Sequence, residues 1–63
     1  MTLGEKIRNA RLNSKLTQEA LAREVDITLN TMYRIEKNKM SPTFPIVAKI
    51  AKVLNISLDS LVN

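Results

Sequence analysis

Apolar residues recur three and four positions apart along almost the whole of this chain, and nowhere do they alternate for long enough to make a strand. Thr2-Leu3-Gly4-Glu5 has the Ser/Thr-x-x-Glu form of a capping box, in which hydroxyl and carboxylate satisfy helix-end amides reciprocally. A first helix therefore starts there, with Leu3, Ile7 and Ala10 as its apolar stripe, and Asn13 and Ser14 within LNSKLT mark its end. Thr17 is a good N-cap for a second helix running to about Val25, with Glu19 in its positive first turn and Leu21 and Val25 pointing inward. Asp26-Ile27-Thr28 interrupts the pattern. Thr28 then caps a third helix from Leu29 to about Asn38, whose buried pair is Met32 and Ile35.

The segment KNKMSPT, residues 37 to 43, reads as a polar loop. Thr43 caps a fourth helix that tolerates Pro45 in its first turn, and Ile46, Val47, Ile50, Ala51 and Leu54 supply its inner side. Asn55 is a C-terminal stop, and Ser57-Leu58-Asp59 opens a short fifth helix ending in Leu61-Val62. The expectation is an all-α fold, five short helices around one core, in a single domain over residues 1 to 63.

Composition narrows the function more than the fold. A chain of 63 residues lies near the lower limit at which one hydrophobic core holds without staples. One Gly, two Pro and no Trp suit helices. With no Cys and no His, disulfides, Cys/His zinc sites, thiol nucleophiles and imidazole acid/base chemistry are all excluded. Ser14, Ser41, Ser57 and Ser60 fall at helix ends, where capping accounts for them, so no catalytic residue, metal or cofactor is expected, nor any small-molecule ligand. No apolar run approaches the roughly 20 residues of a bilayer span and no signal-peptide pattern opens the chain, which predicts a cytoplasmic setting without membrane association. Ten Lys and Arg against six Asp and Glu give a net charge of +4, a bias toward a polyanionic partner.

Position sharpens that bias. Two short helices joined by a tight turn, each with one apolar stripe, form the signature of a helix-turn-helix, here at about residues 17 to 38. At about 100° per residue, Met32 and Ile35 set the inward direction of the third helix, and Asn30, Arg34 and Lys37 cluster opposite, flanked by Thr31 and Tyr33. Asn pairs bidentately with adenine, Arg with guanine or phosphate, Lys with phosphate. A merely solvated helix face is the competing reading. Against it, the strip begins at a capped N-terminus, where a major-groove reader places its base contacts.

The stretch RLNSKLTQEALAREVDITLNTMYRIEKNKMSPTF resembles the helix-turn-helix family of phage repressors and Cro proteins. LTQEALA, YRIEKNK and SPT, followed by IAKVLNISLDSL, match its pattern in order and spacing across nearly all 63 residues. The resemblance implies a compact lambda-repressor-like domain that binds double-stranded DNA, as a repressor or regulator reading an inverted-repeat operator as a homodimer, associated with the nucleoid. It implies Gln18, Leu29, Asn30 and Arg34 as base-edge candidates, Leu29 through a thymine methyl or else as partial core. Gln18 also stands to hold a phosphate at the amide-rich helix start. Thr17, Thr28, Thr31, Lys37, Asn38, Lys39 and Thr43 become backbone candidates, with capping or solvation as the alternative for each. Arg11 and Glu36 match a pair that bridges first and third helices in several members. The family often has Gly where this chain has Asp26 and Asn38, because those turns want a left-handed residue, which Asp and Asn tolerate. Self-contacts are expected from the loop after the third helix and from Ile56 to Val62. Competing readings are an antitoxin-like or adaptor module with a protein partner, for which Leu12, Leu29 and Met40 are the exposed apolar candidates, and a redesigned domain that has lost its DNA contacts.

Overall fold

A computed structural model describes residues 1–62. Five helices follow one another: α1 (Leu3–Asn13), α2 (Gln18–Glu24), α3 (Leu29–Glu36), α4 (Phe44–Leu54) and α5 (Asp59–Val62), with no strand among the described residues. The expected N-caps are in place. Thr2, Thr17, Thr28 and Thr43 all take the extended backbone of an N-cap, and the first three accept a hydrogen bond from the amide three residues on. At α1 the capping box is complete, with Thr2 N–H donating to Glu5 Oε1 at 2.8 Å and Glu5 N–H to Thr2 Oγ1 at 3.2 Å. That pairing, first with the Thr2 amide and then with its hydroxyl, holds the Glu5 carboxyl below its ordinary range. Thr43 makes no such bond, so α4 begins with its cap hydroxyl unused.

Helices α1 to α4 end alike, and without glycine. Lys15, Asp26, Asn38 and Asn55 all lie in the left-handed region, at φ of 60°, 60°, 60° and 55°. The residue after each donates its amide back across the turn, Leu16 to the Arg11 carbonyl, Ile27 to Ala22, Lys39 to Arg34 and Ile56 to Ala51, which is the Schellman closure of a helix C-terminus. Leu16, Ile27 and Ile56 fold their side chains against the core in the hydrophobic contact that usually accompanies this motif. Lys39 is the exception and stays exposed.

These endings correct one boundary. The third helix stops at Glu36, with Lys37 as its cap, because Asn38 has already turned left-handed, whereas the first ends at Asn13 and Ser14 as expected and turns at Lys15. The core is as the stripes predict: Ile7, Leu21, Val25, Met32, Ile35 and Ile50 are essentially without solvent contact, and Val47, Ala51, Leu54 and Leu61 close it from α4 and α5. Leu3, Ala10 and Ile46 sit at its margin, half-buried. Most inter-helix packing joins α2 to α3 and α1 to α3, so the third helix is gripped from two sides and presents its remaining face outward.

Gly4 is where α1 meets the end of α3. A Cβ on Gly4 would lie 2.5 Å from the Ile35 carbonyl oxygen, 2.6 Å from Asn38 Oδ1 and 2.7 Å from the Glu36 carbonyl oxygen. Only a residue without a side chain admits that approach. It brings the positive start of α1 onto the negative end of α3, a favourable apposition of helix dipoles.

Candidate nucleic-acid interface

The solvent face of α3 is the surface on which the sequence-predicted residues gather. Leu29, Asn30, Tyr33, Arg34 and Lys37 are all exposed there, and Thr31 is half-buried. Among the described residues neither Asn30 nor Arg34 has a side-chain hydrogen bond, and the one ion pair joins Arg11 to Glu36. Their polar groups are thus uncommitted, held on a helix whose opposite face is locked by Met32 and Ile35. That is the condition for a rigid reader.

Leu29 is 47% exposed and is not part of the buried core. Lys37 is less free than its position suggests. Its Nζ lies 5.9 Å from the centroid of the Tyr33 ring, one helical turn back, within cation–π range. The hydroxyls divide by task. Thr17 Oγ1 accepts from Ala20 N–H at 3.0 Å, Thr28 Oγ1 accepts from Thr31 N–H at 3.1 Å and donates to Thr31 Oγ1 at 2.8 Å, so all three serve the helix starts. Thr43 and Lys39, both exposed, have side chains that the fold does not use.

Asn38 was expected as a backbone contact, and its side chain is occupied elsewhere. Its Oδ1 accepts from Gly4 N–H at 3.1 Å, and its Nδ2 donates to Thr2 Oγ1 at 2.8 Å. One amide thereby ties the turn after α3 to the first turn of α1. Sequence reasoning missed this bond because the partners lie more than thirty residues apart; the lone glycine, opposite a residue that takes the left-handed conformation, was the available hint.

The Arg11–Glu36 pair forms as expected. Arg11 Nε lies 2.7 Å from Glu36 Oε2 and Nη2 3.0 Å from Oε1, a two-point contact between α1 and α3, with both residues buried. Arg11 Nη1 also donates to the Leu16 carbonyl at 2.9 Å. Such a pair, fully hydrogen-bonded, adds orientation more than net stability. Gln18, the first residue of α2, joins it by donating from Nε2 to Glu36 Oε1 at 3.2 Å, a partner that the sequence did not suggest.

Other chemistry has little to stand on. No group of His, Cys, Asp and Glu among the described residues could hold a metal ion, and no helix among them is long and apolar enough to cross a membrane. The exposed large apolar side chains are Leu12 and Phe44, the chain ends Met1 and Val62, and Leu29 with Tyr33 one turn apart on α3, and Met40 is half-buried. Phe44, 66% exposed at the start of α4, was not among the sequence candidates.

Known proteins share both the sequence pattern and the fold. An HTH-type transcriptional regulator of Archaeoglobus fulgidus is 36% identical over 56 residues, covering 89% of this chain and 80% of that protein. The HTH-type transcriptional regulator YazB of Bacillus subtilis is 36% identical over 58 residues, 92% of this chain and 84% of YazB. The immunity repressor of Bacillus phage phi105 is 29% identical over 62 residues, of which this chain spans 43% of the length. In structure, the P22 c2 repressor crystallised with a synthetic operator superposes with a TM-score of 0.89 at 28% identity, over 97% of this chain and 92% of that one. Residues 7–61 match the helix-turn-helix family model, so the protein belongs to that family, in its phage-repressor and Cro branch.

Proposed function

We propose that this DNA-binding transcription regulator reads an inverted-repeat operator as a two-fold dimer, laying α3 of each copy in the major groove. The observation that carries the reading is the pair Asn30 and Arg34, two uncommitted polar side chains on the outward face of a helix held rigid from behind. Asn30 and Arg34, with Gln18 and Leu29 at the margin, are the base readers; Thr43, Lys39 and Lys37 are backbone contacts, along with the amide-rich helix starts at Thr17, Thr28 and Thr31. The side chain of Asn38 acts from behind, by holding the turn that carries Lys39. The P22 c2 repressor, in complex with a synthetic operator, is a precedent for this fold on DNA.

Dimensions suggest how the copies meet. Reading helices of such a dimer lie about 34 Å apart, whereas the Cα body measures 25 × 22 × 19 Å. A side-chain layer of about 3 Å on each surface leaves even the longest axis short of that separation. The operator reading therefore needs no extensive contact between the copies, because the duplex itself sets their spacing.

Selection from a pool of randomised duplexes at about 0.15 M salt tests the reading. An enriched inverted repeat with half-sites roughly 10 bp apart is the expected result. A folded protein that enriches nothing over the starting pool overturns it.

A further inference from the structure

Three helices converge on one carboxylate. Glu36, 4% exposed in the last turn of α3, receives Arg11 from α1 on both oxygens and Gln18 from α2 on Oε1. An ionised carboxylate has acceptors only, so Gln18 is the donor in this bond, which leaves its Oε1 and one amide proton for a second partner. Gln18 is half-buried and stands beside the flank of α3 that carries Leu29, Tyr33 and Glu36 at helical spacing.

A free glutamine is an ambiguous reader. Turning its amide over exchanges donor and acceptor, so the same side chain suits adenine in one pose and the acceptor edges of guanine or thymine in the other. Glu36 removes the second pose, because a reversed amide would set Oε1 against a carboxylate oxygen, acceptor against acceptor. Arg11 holds Glu36 by two points and is itself anchored on the Leu16 carbonyl, so the carboxylate cannot swing aside.

We propose that Glu36 is a positioning residue for base recognition. By holding one amide proton of Gln18 it turns that side chain into a directional reader, its Oε1 and remaining amide proton matching a major-groove edge that offers a donor beside an acceptor, adenine N6 and N7. This rests on the operator reading above.

The test compares base preferences selected by the wild-type chain, Gln18→Met, the double variant Arg11→Met/Glu36→Leu, and the triple variant. Replacing a buried ion pair by apolar residues of similar volume is a change that folds often accept. The wild-type operator is expected to carry adenine at one base pair per half-site, a preference of about tenfold that Gln18→Met flattens. The double variant should flatten the same base pair, and Gln18→Met added to it should change nothing more. A double variant that keeps the preference, or that weakens all duplexes alike, overturns the inference and leaves the operator reading standing. A wild-type chain without any preferred sequence overturns both.

Should the double variant not fold, the wild-type side-chain amide decides by NMR. Glu36 predicts that one Gln18 Nε2–H resonance lies downfield of the ordinary side-chain amide range and stays there when the enriched duplex is added, while the other moves. A Gln18 pair at ordinary side-chain amide positions, or one that moves together on binding, would overturn the assignment.

Discussion

Replacing Asn38 by glycine should destabilise this domain, although glycine is the residue that its backbone would ordinarily favour. Asn38 and Lys15 share a φ of 60°, and both are exposed. For an ordinary L-residue this conformation costs about 1–2 kcal/mol, and glycine removes that while giving back roughly 0.5–1 kcal/mol through its freer unfolded chain. Lys15→Gly, which disturbs no side-chain bond, should therefore gain about 0.5–1 kcal/mol. Asn38→Gly gains no more than that, since Asn tolerates the region well, and it deletes the bonds from Gly4 N–H at 3.1 Å and to Thr2 Oγ1 at 2.8 Å. Leaving the amide of buried Gly4 without its acceptor costs about 1–3 kcal/mol, so the net loss should be about 1–2 kcal/mol. For a domain of this size about 1 kcal/mol moves the midpoint by roughly 4–8 °C. Thermal melts followed by circular dichroism should place Lys15→Gly a few degrees above the wild type and Asn38→Gly clearly below it. If both glycine variants rise together, the tie between the two turns contributes nothing and the reasoning fails.

Gly4→Ala should cost more than about 2 kcal/mol, because the new Cβ meets two backbone carbonyls that cannot rotate away; a melt within two degrees of wild type would contradict the close approach. Asn30→Ala and Arg34→Ala should each relax one base pair per half-site at about 1–3 kcal/mol, read by competition between operator and single-base variants. Lys39→Ala should weaken every duplex alike and make the log–log salt dependence shallower by about one unit, a slope obtainable from titrations at several salt concentrations. Acid stability bears on the capping box. The Glu5 carboxyl is held below its ordinary pKa by Thr2, so its contribution is present above the unfolded-state value and disappears as pH falls through the lower folded one. Melting curves of wild type and Glu5→Ala should therefore differ at neutral pH and converge in acid; a constant gap would remove the carboxylate from the box.

Periodicity and capping chemistry were enough to predict five helices, their threonine N-caps, the inward pairs Leu21 with Val25 and Met32 with Ile35, and the outward strip of Asn30 and Arg34. These are local matters, set within one or two turns of chain, and the cysteine- and histidine-free composition narrowed the chemistry further. Resemblance to the phage-repressor family supplied Arg11 with Glu36, a pair that the apolar pattern alone left unconnected. What the sequence could not supply is whatever depends on the approach of distant segments. That Lys15 turns left-handed follows from Leu16 being drawn back onto the core. That Asn38 serves the fold before it can serve DNA follows from Gly4 letting α1 settle on the end of α3. Gln18 acquires a direction only because α2 brings it against a carboxylate that α1 has already immobilised. Helix faces are written residue by residue in the chain, whereas the side chains left free on those faces are decided by packing, since a polar group can face a partner only after its neighbours have finished with it.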